Sequence, residues 1–476
     1  MDFEERYEKC SQLLHKYNQQ HLLTFWGELN KNSRDKLLKQ IEELDFKSLD
    51  EKISRYVKSS AGAQLPENFA PAPAYPSQPK TAEQKGKYAE AKKFGTELIS
   101  NGKVAAFTVA GGQGTRLGFD GPKGDFAISP VKNKTLFRLF AEMIKAAGEK
   151  YNFQPRWYIM TSPQNHTQTC EIFKNNNFYG LQSRDIFIFQ QGTEVNFSSD
   201  GKILLAEKDA LATSPDGHGG SLKALFESGT VVDMKKLGIE YISYFQVDNP
   251  LINIFDPLFI GLHAMDNAEM SSKALTKAGP LEKVGNFCLA DGKVTVIEYS
   301  DLSKELAEKK NGDGSLVFSL GSIAIHIISR SFVEQLNTGG FALPYHKAVK
   351  KIPHVDIRNG DKIESQKPDG IKLETFVFDA LPLTKKSIIL ETIRSEEFAP
   401  VKNAIGTDSP QVAKKMMIDR AALWLSQAGI KIPKKPDGLI DCRIEIAPSF
   451  ALCMEDITEK KDKIPQIKPG DTVYIS

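Results

Sequence analysis

The chain has 476 residues, 41% hydrophobic and 26% charged, with 62 basic against 60 acidic residues for a net charge of +2. That length suits about three domains of ~150 residues and a sizeable core. The near-neutral balance lacks the basic footprint of a nucleic-acid or anionic-membrane binder, so neither partner is expected.

The opening Met1-Asp2-Phe3-Glu4-Glu5 is acidic where a signal peptide is basic and then apolar, and no apolar run reaches the ~20 residues of a spanning helix. Cys10, Cys170, Cys288, Cys442 and Cys453 are scattered, with no Cys-x-x-Cys pair. Reduced thiols and a soluble cytoplasmic protein are expected. Residues 3–58 show helical periodicity, as in Leu37, Leu38, Ile41 and Leu44 against Lys36, Lys39, Glu42 and Glu43. A proline-rich tract follows, from Ala61 through Pro66, Pro71, Pro73, Pro76 and Pro79. Proline removes backbone donors, so the tract reads as a linker or a surface strap, and 1–99 as a helical region ending in it.

From about residue 100, strand-like runs (Val104–Val109, Trp157–Thr161, Asp185–Gln190, Tyr241–Val247, Val294–Tyr299) alternate with helical patterns. Leu136, Leu139, Phe140, Met143 and Ile144 form one apolar stripe, completing a βαβ unit between the first two runs. The pattern predicts an α/β fold whose core, 100–395, is a mixed, mostly parallel sheet covered on both faces. Residues 396–476 read as a small α+β domain, with a helix at Gln411–Gln427, a break at Ile432–Pro436 and a β-like Thr472–Ile475.

In such sheets ligands settle beyond the carboxyl ends of strands, and each chemically suggestive loop here follows a strand-like run. Residues 109–124, Val-Ala-Gly-Gly-Gln-Gly-Thr-Arg-Leu-Gly-Phe-Asp-Gly-Pro-Lys-Gly, combine a glycine-dense turn with Arg116 and Lys123. Glycines let backbone N–H groups approach anionic oxygens, and the two cations neutralise a polyphosphate, so a nucleotide is the natural guest. Leu117 stands where a dinucleotide fingerprint needs its third glycine, and no Gly-Lys-Ser/Thr closes a Walker loop. Asp248, ending the Tyr241–Val247 run, is placed to hold Mg²⁺ against phosphate oxygens; the alternative is a turn cap before Pro250. Ser214–Gly220 opens a helix at Ser221–Glu227 and can form a pocket wall with its N–H groups. Lys372 and Lys402 follow apolar runs and are either ligand-binding cations or solvated amines.

The glycine loop with Pro122-Lys123-Gly124 resembles the signature of sugar nucleotidyltransferases. The chain as a whole resembles the eukaryotic UDP-N-acetylglucosamine pyrophosphorylase family from His21-Leu22-Leu23-Thr24-Phe25-Trp26 to Lys402. The matching pieces, in order, are Ala110–Gly118, Pro122-Lys123-Gly124, Tyr158–Ser162, Phe189–Gly192, Pro215-Asp216-Gly217, Val247-Asp248-Asn249, Glu298-Tyr299-Ser300, Gly370-Ile371-Lys372, Phe376–Asp379 and Pro400–Asn403. The resemblance implies a Rossmann-like nucleotidyltransferase core that makes UDP-N-acetylglucosamine and pyrophosphate from UTP and N-acetylglucosamine 1-phosphate, with Mg²⁺ (Mn²⁺ as the alternative) as cofactor. It implies that Val109, Ala110, Gly111, Gly112, Arg116, Lys123, Gln191, Gly217 and Lys372 hold the nucleotide, Gln191 on the uracil edge, with Asp248 on the metal. Gly285, Glu298, Tyr299, Phe376, Phe378 and Lys402 would hold the sugar phosphate. Arg116, Lys123 and Lys402 are the implied catalytic cations. Such transfer needs positioning and charge neutralisation rather than a covalent catalyst, which suits a site without a Ser–His or Cys–His pair.

The pattern departs at two sugar-side positions, where the family has Asn and this chain has His218 and Ser322. An amide offers donors and an acceptor in one small plane, whereas neutral imidazole has one of each, so the hydrogen bonds to the sugar must differ. The expectation is that the larger His218 and smaller Ser322 compensate in volume and keep a hexosamine phosphate bound. The alternatives are a broader UDP-sugar pyrophosphorylase using N-acetylgalactosamine, glucose or galactose 1-phosphate, and a non-catalytic nucleotide-sugar-binding protein.

Overall fold

The structure, a computed structural model, describes residues 2–59 and 68–476, so Ala61 and Pro66 of the proline-rich tract lie outside the described residues. By its contacts the chain divides into two compact units: Met1–Gln64, Gly192–Ser221 and Ala342–Val377 form one, and Leu65–Gln191, Leu222–Phe341 and Phe378–Ser476 the other. Both are built from segments distant in sequence.

The larger unit is organised by a 10-stranded sheet of β1 (Phe69–Pro71), β2 (Val104–Val109), β3 (Trp157–Thr161), β4 (Ile186–Gln190), β5 (Tyr241–Gln246), β6 (Met270–Thr276), β7 (Asn286–Ala290), β8 (Lys293–Ile297), β9 (Leu320–Ser329) and β10 (Ile389–Thr392). Its main path runs β1-β7-β9-β5-β2-β3-β4, with β6 joining β9 to β10 and β8 pairing β7. The stretch β5-β2-β3-β4 is parallel, with Val109 opposite Gln246 on one side and Met160 on the other. β2 and β3 read as apolar runs because both their faces are covered: every residue of β3 and all but the last of β2 are buried, whereas β4 ends the path and leaves Phe187 exposed. The rest of the sheet is antiparallel apart from the β6–β10 pair, so the sheet is mixed, with its parallel ladders concentrated where the βαβ pattern was legible.

Between β2 and β3, the helix Leu136–Tyr151 starts at the Thr135 N-cap and buries Leu136, Leu139, Phe140 and Ile144. Each such side chain contributes about 1.5–3 kcal/mol relative to exposure. The helices Ala82–Ser100 and Pro257–Met265 meet at two glycines: a Cβ on Gly95 would overlap the Pro257 carbonyl, and one on Gly261 the Ala91 carbonyl. The C-terminal helix Pro410–Gln427 packs with the parallel pair Arg443–Ile446 and Thr472–Ile475 around Leu425, Ile444, Ile457 and Ile475.

In the smaller unit, the helices Phe3–Lys16 and Lys31–Glu42 bury Leu14, Leu37, Leu38 and Ile41 together with Phe197, Ile371 and Leu373 of a three-stranded sheet. The segments 192–221 and 342–377 belong here because they supply those strands. Among the described residues, no helix is long and apolar enough to cross a membrane.

Candidate functional site

The glycine loop starts where β2 ends. The Ala110 N–H donates to the Met160 carbonyl at 2.7 Å, carrying the parallel ladder one residue past the strand. The loop then folds back on itself: the Lys123 N–H donates to the Gly112 carbonyl at 3.0 Å, and the Gly114 N–H to the Gly121 carbonyl at 2.8 Å. The buried Asn165 fastens it to the end of β3, its Nδ2 donating to the carbonyls of Ala110 (3.0 Å) and Gly112 (3.3 Å). Sequence reading missed Asn165, which lies three residues beyond the Tyr158–Ser162 match.

The glycines leave space that side chains cross. A Cβ on Gly112 would stand 3.8 Å from Lys123 Cε, and one on Gly111 only 2.5 Å from Gln191 Oε1. Gln191 follows β4 directly, its N–H donating to the Thr161 carbonyl at 2.8 Å. Val109, Ala110, Gly111, Gly112, Lys123 and Gln191 are therefore brought together at one edge of the sheet.

Asp248 joins them. The Val247 N–H donates to the Val109 carbonyl at 3.1 Å, so the turn after β5 lies beside the start of the glycine loop. The two residues of Asp248-Asn249 do different work. Asn249 is structural: its Nδ2 donates to the Glu397 carbonyl at 2.6 Å, and its Oδ1 accepts from the N–H groups of Ala399 (3.0 Å) and Leu251 (3.3 Å). Asp248 is 9% exposed, and its side chain accepts no hydrogen bond from a described residue. Its carbonyl accepts the Val401 N–H at 2.9 Å, and the Arg116 carbonyl accepts the Ala404 N–H at 2.9 Å. Main-chain bonds thus fasten the Lys402 segment to both loops. Lys402 Nζ lies 4.0 Å from Asp408 Oδ2 and 5.9 Å from the Phe398 ring centre. The Arg116 guanidinium and Lys123 ammonium form no hydrogen bond or ion pair with a described residue, and the loop that carries them meets the Asp248 turn through the main chain.

A second group gathers on β7, β8 and β9. The Ser322 N–H donates to the Gly285 carbonyl at 2.8 Å, and a Cβ on Gly285 would meet Val296 Cγ1 at 2.5 Å and Glu298 Oε1 at 3.4 Å. Because β9 runs antiparallel to β5, its Ser322 end points toward the edge where β2 to β5 finish. Tyr299 is exposed and Phe378 buried. Lys277, absent from the sequence reading, is buried nearby with its ammonium 2.6 Å from Asn286 Oδ1, and burial pushes its pKa below the usual lysine value.

The remaining candidates lie in the smaller unit. Gly217 has φ 89°, and a Cβ there would overlap the Thr375 carbonyl, so glycine is required on both counts. The Gly219 N–H donates to the Thr375 carbonyl at 2.8 Å, and the Thr375 N–H to the Asp216 carbonyl at 2.8 Å. His218 Nδ1 accepts the Val377 N–H at 3.1 Å, and its ring stacks on Phe376 at 5.2 Å and 14°. His346, which sequence reading missed, also stacks on Phe376, at 4.3 Å and 23°. Lys372 is ion-paired with Glu374 at 2.8 Å.

Among the described residues, no group of three or more His, Cys, Asp or Glu side chains is arranged to hold a metal ion. A metal at Asp248 would thus rest on one protein carboxylate, which suits Mg²⁺ completed by phosphate and water oxygens better than an all-protein cage.

Residues 47–476 match the family model described as UTP--glucose-1-phosphate uridylyltransferase. The chain is 36% identical over 436 residues to the human UDP-N-acetylhexosamine pyrophosphorylase-like protein 1, covering 88% of this chain and 85% of that protein. It is 32% identical over 472 residues to the UDP-N-acetylglucosamine pyrophosphorylase of Saccharomyces cerevisiae, covering 95% and 97%. The crystal structure of the UDP-N-acetylglucosamine pyrophosphorylase from Trypanosoma brucei in complex with inhibitor is similar to it with a TM-score of 0.79 at 26% identity, covering 100% of this chain and 98% of that one. On these matches, the chain belongs to the UTP--glucose-1-phosphate uridylyltransferase family.

Proposed function

We propose that this protein is a uridylyltransferase that makes UDP-N-acetylglucosamine and pyrophosphate from UTP and N-acetylglucosamine 1-phosphate. One observation carries the chemistry: Arg116, Lys123 and Asp248, each without a side-chain partner among the described residues, share the strand-end edge with a folded-back glycine loop. Ionised groups left unpaired in this way are arranged for a charged guest. The sugar and the base come from the relatives' names.

In the reaction, a phosphate oxygen of the sugar phosphate attacks the α-phosphorus of UTP, and the bond from that phosphorus to the bridging oxygen breaks as pyrophosphate leaves. The N–H groups of Gly111 and Gly112 donate to the triphosphate oxygens, Lys123 and Arg116 neutralise it, and Gln191 reads the uracil edge. Lys402 holds the attacking phosphate, and Glu298 accepts sugar hydroxyls. Asp248 holds Mg²⁺, which when bound offsets charge on the phosphate oxygens. Together these groups supply orientation and electrostatic stabilisation.

His218 bears on which sugar is chosen. With Nδ1 accepting the Val377 N–H, the neutral ring carries its proton on Nε2 and acts there as a donor only. The relatives named for N-acetylhexosamine and N-acetylglucosamine support a hexosamine. Glucose or galactose 1-phosphate is the second reading, supported by the glucose 1-phosphate in the description of the matching family model. Pyrophosphate release from UTP with N-acetylglucosamine, N-acetylgalactosamine, glucose and galactose 1-phosphates tests the choice. Faster turnover of the non-acetylated sugars contradicts it. A cytoplasmic location is part of the same proposal.

A further inference from the structure

Lys273 lies within β6 with only 1% of its side chain exposed. Its ammonium contacts Asp256 Oδ2 at 2.6 Å and both carboxylate oxygens of Glu397, Oε2 at 2.6 Å. Asp256 is also the N-cap of the helix Pro257–Met265, accepting the Leu258 N–H at 3.0 Å. Glu397 begins the segment that ends in Lys402. Along it, alternate residues are fastened to one turn: the Glu397 carbonyl and Ala399 N–H to the Asn249 side chain, and the Val401 N–H to the Asp248 carbonyl. Arg420 bridges the same two stretches, its Nη1 donating to the carbonyls of Leu251 (2.9 Å) and Glu396 (3.0 Å).

A buried ion cluster is a poor source of net stability, because desolvation offsets most of the attraction and an apolar replacement often does as well. What such a cluster does provide is a fixed geometry. Here the fixed element is the backbone between an unpartnered carboxylate and the lysine five residues beyond Glu397.

We propose that Lys273 is a positioning residue: through Glu397 it sets where the Lys402 ammonium stands relative to the Asp248 carboxylate. The inference rests on the roles assigned above to Asp248 and Lys402. A displacement of ~1 Å in such a site costs on the order of 100-fold in rate, so the consequence is measurable.

The experiment uses the full chain with Lys273→Met, which retains a long unbranched side chain without its charge, on the native and on the Lys402→Ala background. In otherwise native protein, kcat should fall by about 10-fold or more while KM for UTP stays within about 3-fold. Added to Lys402→Ala, the same substitution should lower kcat by less than about 3-fold further, because the group it positions is gone. Native kcat in folded Lys273→Met overturns the inference, as does an equal loss on both backgrounds. Should Lys273→Met not accumulate as folded protein, Glu397→Gln, nearly isosteric, takes its place with the same expected pattern, and undiminished kcat there overturns the inference too. A fully active Lys402→Ala would instead remove the role assigned to Lys402, so the two failures are distinguishable.

Discussion

Replacing Gly111 with alanine separates nucleotide recognition from folding. The new Cβ would lie 2.5 Å from Gln191 Oε1, 3.3 Å from the Ser162 nitrogen and 3.4 Å from Ser162 Cβ. The first contact is too short to survive, but its partner is the tip of a flexible side chain, so Gln191 should swing aside while the backbone stays. Gly111 is not among the positive-φ glycines, so alanine there carries no left-handed strain. Stability should stay within about 1 kcal/mol of the native protein, with reduced unfolded-state entropy acting in its favour. The displaced amide should lose the hydrogen bonds to uracil proposed for it, two at about 1 kcal/mol each, or ~30-fold in nucleotide affinity. Initial-rate assays with varied UTP should therefore show KM raised by roughly that factor, with KM for the sugar phosphate little changed. Gln191→Ala should reproduce the effect, and the double variant should be no worse than either single one. An unchanged KM for UTP in Gly111→Ala, or additive losses in the double variant, refutes the reasoning.

Asp248→Ala should lower Mg²⁺-dependent turnover by on the order of 100-fold or more with the melting temperature retained, because Asn249 holds the turn; an unchanged rate removes the carboxylate from the mechanism. Asn249→Ala should do the reverse to the fold, costing about 1–3 kcal/mol in denaturant melts by orphaning the Ala399 N–H and Glu397 carbonyl. Lys402→Ala should lower kcat and raise KM for the sugar phosphate, with KM for UTP held; equal effects on both substrates contradict its assignment. His263 is fully buried between Ser271 Oγ (2.7 Å) and Ser329 Oγ (3.1 Å), and burial pushes its pKa down to about 3. The unfolded ring protonates first as pH falls below ~6.5, so its contribution is complete above that pH and lost progressively toward about 3. Between pH 6.5 and 5 this amounts to about 2 kcal/mol, and His263→Gln should flatten that part of the stability profile.

The central parallel strands Val104–Val109 and Trp157–Thr161 were legible because burial on both faces makes them apolar nearly throughout. β6 was not, since Met270–Thr276 carries Ser271, Ser272 and Lys273 in its interior. Their partners lie far off in sequence: His263 for Ser271, His326 for Ser272, and Asp256 with Glu397 for Lys273. A polar run that is satisfied only in the folded state gives no periodic signal. Likewise, nothing local in Phe197 or Leu373 says that they share a core with Leu37 and Leu38. At the site, residues with a distinctive local pattern, the glycines with Arg116 and Lys123, were readable from chemistry alone. The roles of Gln191, Gly285 and Glu298 came only from resemblance. Asn165 and His346 were missed because single polar residues declare nothing until their partners, the Ala110 carbonyl and the Phe376 ring, are in place.

The most direct test is a crystal structure of the protein with UTP and Mg²⁺. The triphosphate should lie on the N–H groups of Gly111 and Gly112 with Lys123 against it, the metal on Asp248 and the uracil on Gln191. Density for the nucleotide away from both the glycine loop and Asp248 would contradict the assignment of this edge as the site of uridylyl transfer.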